Sequence, residues 1–102
     1  MQNLKALSDT ELHDKTHVTV KEERRITAKV LALLRENESR RLYLQMRYSS
    51  LFEYCTKDLG YSESAAQRRI DAMRLTRELP QIESKIIEGR LNLSTVLQAQ
   101  KF

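Results

Sequence analysis

Helix breakers are nearly absent from this chain of 102 residues: Gly60 and Gly89 are its only glycines and Pro80 its only proline. These two residue types disrupt a helix more than any others, so almost the whole sequence is free to be helical and the breakers should mark joints. An all-α fold follows. With 40% hydrophobic residues the chain can build one modest core and not two. There is no tryptophan and aromatics are few, so that core must come from Leu, Ile, Val, Ala and Met. The expectation is a single small multi-helix domain over 1–102, with N-terminal helices in 1–37, a helix-turn-helix core in 39–79 and C-terminal helices in 80–102.

Capping residues and apolar spacing divide the chain further. Ser8 stands three residues before Glu11, the S-x-x-E spacing in which each side chain satisfies an amide at a helix start, so a helix begins at Asp9. The β-branched stretch Thr16 to Val20 alternates like a strand and weakens the helix locally, which predicts a joint there. A stronger amphipathic helix is expected from about Lys21 to Glu36, with Ile26, Val30, Leu33 and Leu34 on its apolar side. A short helix around Leu42 and Met46 comes next. Ser50 and Glu53 repeat the capping pattern ahead of Leu51, Phe52, Cys55 and Leu59, and Gly60 can take the left-handed conformation that stops a helix. Ser62 caps a further helix to about Glu78, with Ala66, Ile70 and Met73 as its buried stripe. Pro80 suits the first turn of a helix carrying Ile82, Ile86 and Ile87 and ending at Gly89. A last helix is expected from Ser94, after Leu91 and Leu93, and its interruption at Phe102 suggests a fragment of a longer chain.

The net charge of +4 permits polyanion binding without demanding it. Cys55 is the only cysteine, which excludes an internal disulfide and a cysteine-based zinc site and fits a cytoplasmic location. The acidic N-terminus resembles neither a secretory signal nor an anchor, and no apolar run approaches the roughly 20 residues that span a bilayer.

The run LGYSESAAQRRI, residues 59–70, has the length of a helix-turn-helix corner, in which the second helix enters the major groove. Ala65 and Ala66 are small where two helices must approach closely. The first turns of the second helix expose Glu63, Ser64, Gln67, Arg68 and Arg69; glutamine can read adenine, and arginine can read guanine or hold phosphate. The alternative is a plain helical hairpin with solvated arginines. Arg68 and Arg74 lie about 120° apart on a helix, so Arg74 and Arg77 do other work, pairing with Asp71 and Glu78 or with Glu36 and Glu38.

On these residues the chain resembles two groups. LGYSESAAQRRIDAMRL, ELPQIESKIIEGRLNLSTV and, within the latter, Gly89 to Ser94 are similar to the helix-turn-helix region of ParB-like partition proteins. RRLYLQMRYSSLFEYCTKDLGYSESAAQRRIDAMRLTRELPQIESKIIEGRLNLSTV more closely resembles the N-terminal helical region of bacterial HNH-endonuclease proteins, over most of the chain, from about Leu7 to the end. Arg47 departs from that group, where glycine often precedes the residue equivalent to Tyr48. The nuclease half has no counterpart here, since His13 and His17 lack the spacing and acids of that metal site. The resemblance implies a DNA-targeting or assembly domain and carries over no catalysis.

Other chemistry is weakly represented. His13 and His17 stand four apart, as metal-sharing imidazoles can, but only Asp9 or Asp14 could join them. Cys55 occupies an apolar position suited to packing rather than to a nucleophile. No phosphate-cradling glycine loop or nucleophile turn is present, so no enzyme, cofactor, metal site or small-molecule substrate is expected. The expected partner is double-stranded DNA, bound through Ser64, Gln67, Arg68 and Arg69, with Arg41, Arg47 and Lys57 on phosphates. The rival is a protein-interaction module, a homodimer or a dock for a nuclease partner, using the Ile26, Val30 and Leu33 face if the rest of the domain leaves it uncovered.

Overall fold

The computed structural model describes residues 3–89, and every regular element among them is helical. A 3₁₀ turn at Leu4–Ala6 precedes α1 (Asp9–Arg40), after which come α2 (Leu42–Gln45), α3 (Leu51–Glu53) continued by a π-helical turn at Tyr54–Asp58, α4 (Glu63–Glu78) and α5 (Gln81–Ile87). The helix expected from Ser94 lies outside the described residues.

The expected joint at Thr16 to Val20 does not exist. α1 is one helix of 32 residues, about 48 Å long at 1.5 Å per residue. Thr16 Oγ1 donates to the Leu12 carbonyl at 2.8 Å and Thr19 Oγ1 to that of Lys15 at 2.7 Å, so the hydroxyls are satisfied within the helix. The low helix propensity of threonine and valine costs only a few tenths of a kcal/mol each, too little to interrupt a helix capped at Ser8 and Arg41. Ser8 caps the start as expected, accepting from Glu11 N at 3.2 Å. The end lies at Arg40 rather than Glu36, because Arg41 turns into the left-handed region (φ 52°) while its N–H still reaches the Asn37 and Glu38 carbonyls.

The buried side of α1 also differs from the expected one. Ala28, Leu31 and Leu34 enter the core, whereas Ile26 and Leu33 are 61% and 62% exposed and Val30 is half-buried. α1 packs against both α4 and α5, and the core forms between them from Leu31, Leu34, Leu51, Cys55, Ile70 and Met73, with Ile82 and Ile86 from α5. Ile87, the third isoleucine of α5, is exposed. The N-terminal half of α1 has no such cover: none of residues 8–19 is buried.

Gly89 ends α5 with φ +82°, and the Arg24 guanidinium of α1 lies against it, where a Cβ would come within 2.7 Å of Arg24 Cζ. No described helix is long and apolar enough to cross a membrane.

Candidate nucleic-acid interface

The caps and the Gly60 turn form as their residues predict, whereas the helix expected between Ser50 and Gly60 is α-helical only over Leu51–Glu53 and continues as a π-turn. Ser50 Oγ accepts from Glu53 N at 3.0 Å and opens α3. Ser49 donates a very short hydrogen bond to the Glu53 carboxylate, which together with Lys57 holds that carboxyl below its ordinary pKa against the opposing effect of burial. The π-turn follows, with Leu59 N donating to the Tyr54 carbonyl at 3.1 Å. Gly60 adopts φ +81° with nothing within 4 Å of a would-be Cβ, so the backbone conformation alone, not crowding, calls for glycine. Ser62 Oγ then accepts from Ala65 N at 3.2 Å and starts α4. Ala66, Ile70 and Met73 of α4 are fully buried, and Cys55 packs among them with its thiol pKa raised by burial.

Burial of that stripe fixes which α4 side chains face outward. Ser64, Gln67 and Arg68 are exposed along the first turns, and Ser64 and Arg68 lie within about 40° of each other around the axis. Gln67 Nε2 donates to Asp71 Oδ1 at 2.8 Å, and Ser64 Oγ is 3.5 Å from Ser62 Oγ. Arg68 makes no hydrogen bond or ion pair among the described residues. Gln67 also borders a groove of 180 Å³ shared with Tyr43, Ser49, Ser50 and Arg74.

Arg69 is not free, contrary to expectation. Its Nη1 donates to the Ala65 carbonyl at 3.0 Å and its guanidinium carbon sits 4.5 Å from the centre of the Tyr61 ring, a cation–π contact. Tyr61 directly precedes the Ser62 cap, a position that projects over the first turn of the new helix. That placement was the available signal for this pairing.

Arg74 and Arg77 do the other work expected of them, and both choose Glu38. Arg74 Nη2 lies 2.8 Å from Glu38 Oε2 and Arg77 Nη1 2.8 Å from Oε1. The hydrogen bonds from Arg74 are the main reason the Glu38 carboxyl sits below its ordinary pKa. Both arginines are thereby engaged within the domain, although one carboxylate balances only one of their two charges.

The other expected contacts occupy the segment before and within the first helix of the corner. Arg41 (φ 52°) and Arg47 (φ 69°) are exposed and left-handed. Lys57 is 3.6 Å from Glu53 and Arg40 is 3.6 Å from Glu36, so each carries a local counter-charge. The His13 and His17 rings lie tilted against each other with centroids 4.4 Å apart, and the described residues contain no group of three His, Cys, Asp or Glu that could hold a metal. No family model, curated protein or solved structure matches this chain.

Proposed function

We propose that this domain binds double-stranded DNA, with α4 as the helix that enters the major groove and Arg68 as its principal contact. The observation that carries the reading is the sorting of the α4 arginines. Arg69, Arg74 and Arg77 are held by Tyr61, Ala65 and Glu38, while Arg68 stays exposed beside Ser64 and Gln67. An unpaired guanidinium next to an exposed amide and hydroxyl, on the second helix of a tight corner, is the side-chain set that reads base edges. Gln67 must leave Asp71 to reach a base, and Glu63 and Asp71 repel backbone, so contacts beyond α4 are needed.

Arg41 and Arg47 supply them. Each occupies a left-handed backbone that glycine would adopt at lower cost, and keeping an arginine there favours a role for its charge on phosphate. Lys57, already near Glu53, is the weaker contact. The resemblance to the helical region of HNH-endonuclease proteins and to ParB-like helix-turn-helix segments supports the same reading, as a targeting or assembly module without catalysis of its own.

The test is duplex retardation at moderate salt with Arg68→Ala and Gln67→Ala. Loss of one bidentate base contact costs about 1–3 kcal/mol, so Arg68→Ala should weaken binding by about tenfold or more. Equal binding by wild type and the double variant would contradict the reading. Selection of bound duplexes from a random pool then separates a sequence reader, which yields a defined motif, from a backbone binder, which does not.

A further inference from the structure

One side of α1 carries a heptad pattern that the domain covers only at Val30, which packs against the core, and at Asn37, which is buried. Leu12, Thr19, Ile26 and Leu33 recur every seven residues, and Thr16, Glu23, Val30 and Asn37 interleave with them at alternating spacings of four and three. That is the arrangement by which one helix presents a seam to another. Leu12, Ile26 and Leu33 are 46%, 61% and 62% exposed, although a solvated helix gains nothing from apolar residues at such spacing.

Two open grooves lie along this helix. Toward its C-terminal end, Val30, Leu33 and Asn37 join Tyr54, Leu59 and Tyr61 around about 350 Å³. Toward its N-terminal end, Leu12, Thr16 and Thr19 join Leu4, Leu7 and Val20 around about 400 Å³. The first contains a buried polar atom with no partner: Asn37 is 9% exposed and its Oδ1 accepts no hydrogen bond. An unsatisfied buried acceptor destabilises the fold, and a donor from outside the chain would recover that loss.

We infer that a second copy of this chain docks on this face, its α1 antiparallel to the first. The flanking charges select that partner and that direction. Lys15, Glu22, Lys29 and Glu36 follow one edge of the seam with alternating sign. In an antiparallel pair whose layers set Leu33 against Thr16 and Val30 against Thr19 of the other copy, residues of this edge face each other. Lys15 then meets Glu36, and Glu22 meets Lys29, each twice by symmetry. A parallel pair would instead set Lys15, Glu22 and Lys29 against Val20, Thr27 and Leu34, none of them charged, and only Glu36 would meet a cation, Arg41, which lies past the end of the helix.

The same register makes the two grooves complementary. The uncovered N-terminal half of each α1 lies in the groove over the body of the other copy, which brings His13 of that copy, a hydrogen-bond donor, to the end where Asn37 sits. Glu23 is the one charge within the seam. It faces Ile26 of the second copy beside that copy's Lys29, and a polar residue at such a place fixes register at a cost in affinity. The dimer is therefore reversible and specific rather than permanent. It stands independently of DNA binding, since it uses none of Ser64, Gln67 or Arg68.

Sedimentation equilibrium of the full chain over a wide concentration range tests this. The expected result is a reversible species at twice the 12.0 kDa chain mass. Leu33→Glu should convert it to monomer with helicity intact by circular dichroism, because Leu33 supports nothing in the core. Glu22→Lys and Lys29→Glu should each weaken the dimer about tenfold by turning two ion pairs into repulsions, and the double swap should restore it. A chain monomeric at every concentration, a dimer indifferent to Leu33→Glu, or single variants that the double swap fails to rescue would each overturn the inference.

Discussion

Arg74 and Glu38 meet across 36 residues of sequence: Arg74 donates to Glu38 Oε2 from Nη2 at 2.8 Å and from Nε at 3.3 Å, while Arg77 takes the other oxygen. One carboxylate thus clamps α4 to the last turns of α1 and engages two half-exposed arginines. Removing its charge should cost about 1–2 kcal/mol at neutral pH, reduced from the value of a fully buried pair because both arginines are half-exposed. The folded-state pKa of Glu38 is lowered from 4.5, so its contribution is present above that unfolded value and lost as pH falls through the folded one. Urea unfolding of Glu38→Gln should show the deficit at pH 7, with the gap to wild type closing in acid. A gap that persists undiminished at low pH would refute the ion-pair account.

Arg47 holds φ 69° without the conformational freedom of glycine. Left-handed backbone costs an ordinary residue about 1–2 kcal/mol, partly offset by the greater entropy that glycine loses on folding. Arg47→Gly should therefore raise stability by about 1 kcal/mol, or roughly 4–8 °C in melting temperature for a domain of this size. If Arg47 also holds a phosphate, the same variant should lower the salt slope of DNA binding by about one. Thermal melts and binding titrations would read the two effects separately.

Gly60 offers the opposite case. A Cβ there meets nothing within 4 Å, yet φ is +81°. Gly60→Ala should destabilise by about 1 kcal/mol through backbone strain alone, and Gly60→Asn by less, because asparagine tolerates the left-handed region better. Equal losses for both would point to a steric cause instead.

Much of this fold is legible in the sequence where a local signal is unopposed. Ser8, Ser50 and Ser62 cap helices within hydrogen-bonding reach of their own first turns, and the Gly60 corner and the Ala66, Ile70 and Met73 stripe need no distant partner to be recognised. α1 is harder to read. Its Thr16 to Val20 stretch looks like a break only until the threonine hydroxyls are seen to bond back to the helix. Its apolar residues occupy two faces, and periodicity cannot say that Ala28 and Leu31 will be buried while the larger Ile26 and Leu33 stay in water. The candidate site divides in the same way: exposure of Ser64, Gln67 and Arg68 follows from the buried stripe of α4, but the capture of Arg69 by Tyr61 depends on how the turn folds.

That capture has its own consequence. Stacking of Arg69 on Tyr61 is worth about 0.5–1 kcal/mol at such a partly exposed place. A double-mutant cycle of Tyr61→Leu and Arg69→Ala should return a coupling energy of that size in unfolding experiments. In DNA binding, Arg69→Ala should matter far less than Arg68→Ala, and the reverse order would move the groove contact to Arg69.

The salt dependence of affinity for a duplex bears most directly on the central claim. On the proposed reading, phosphate neutralisation by Arg41, Arg47 and other exposed cations would release counterions, so the logarithm of the binding constant should fall linearly with the logarithm of salt from about 50 to 200 mM, at roughly −0.9 per phosphate contacted. Arg68→Ala should lower affinity throughout that range. Binding that stays flat across it, or no binding to any duplex, would contradict the assignment of this domain to DNA.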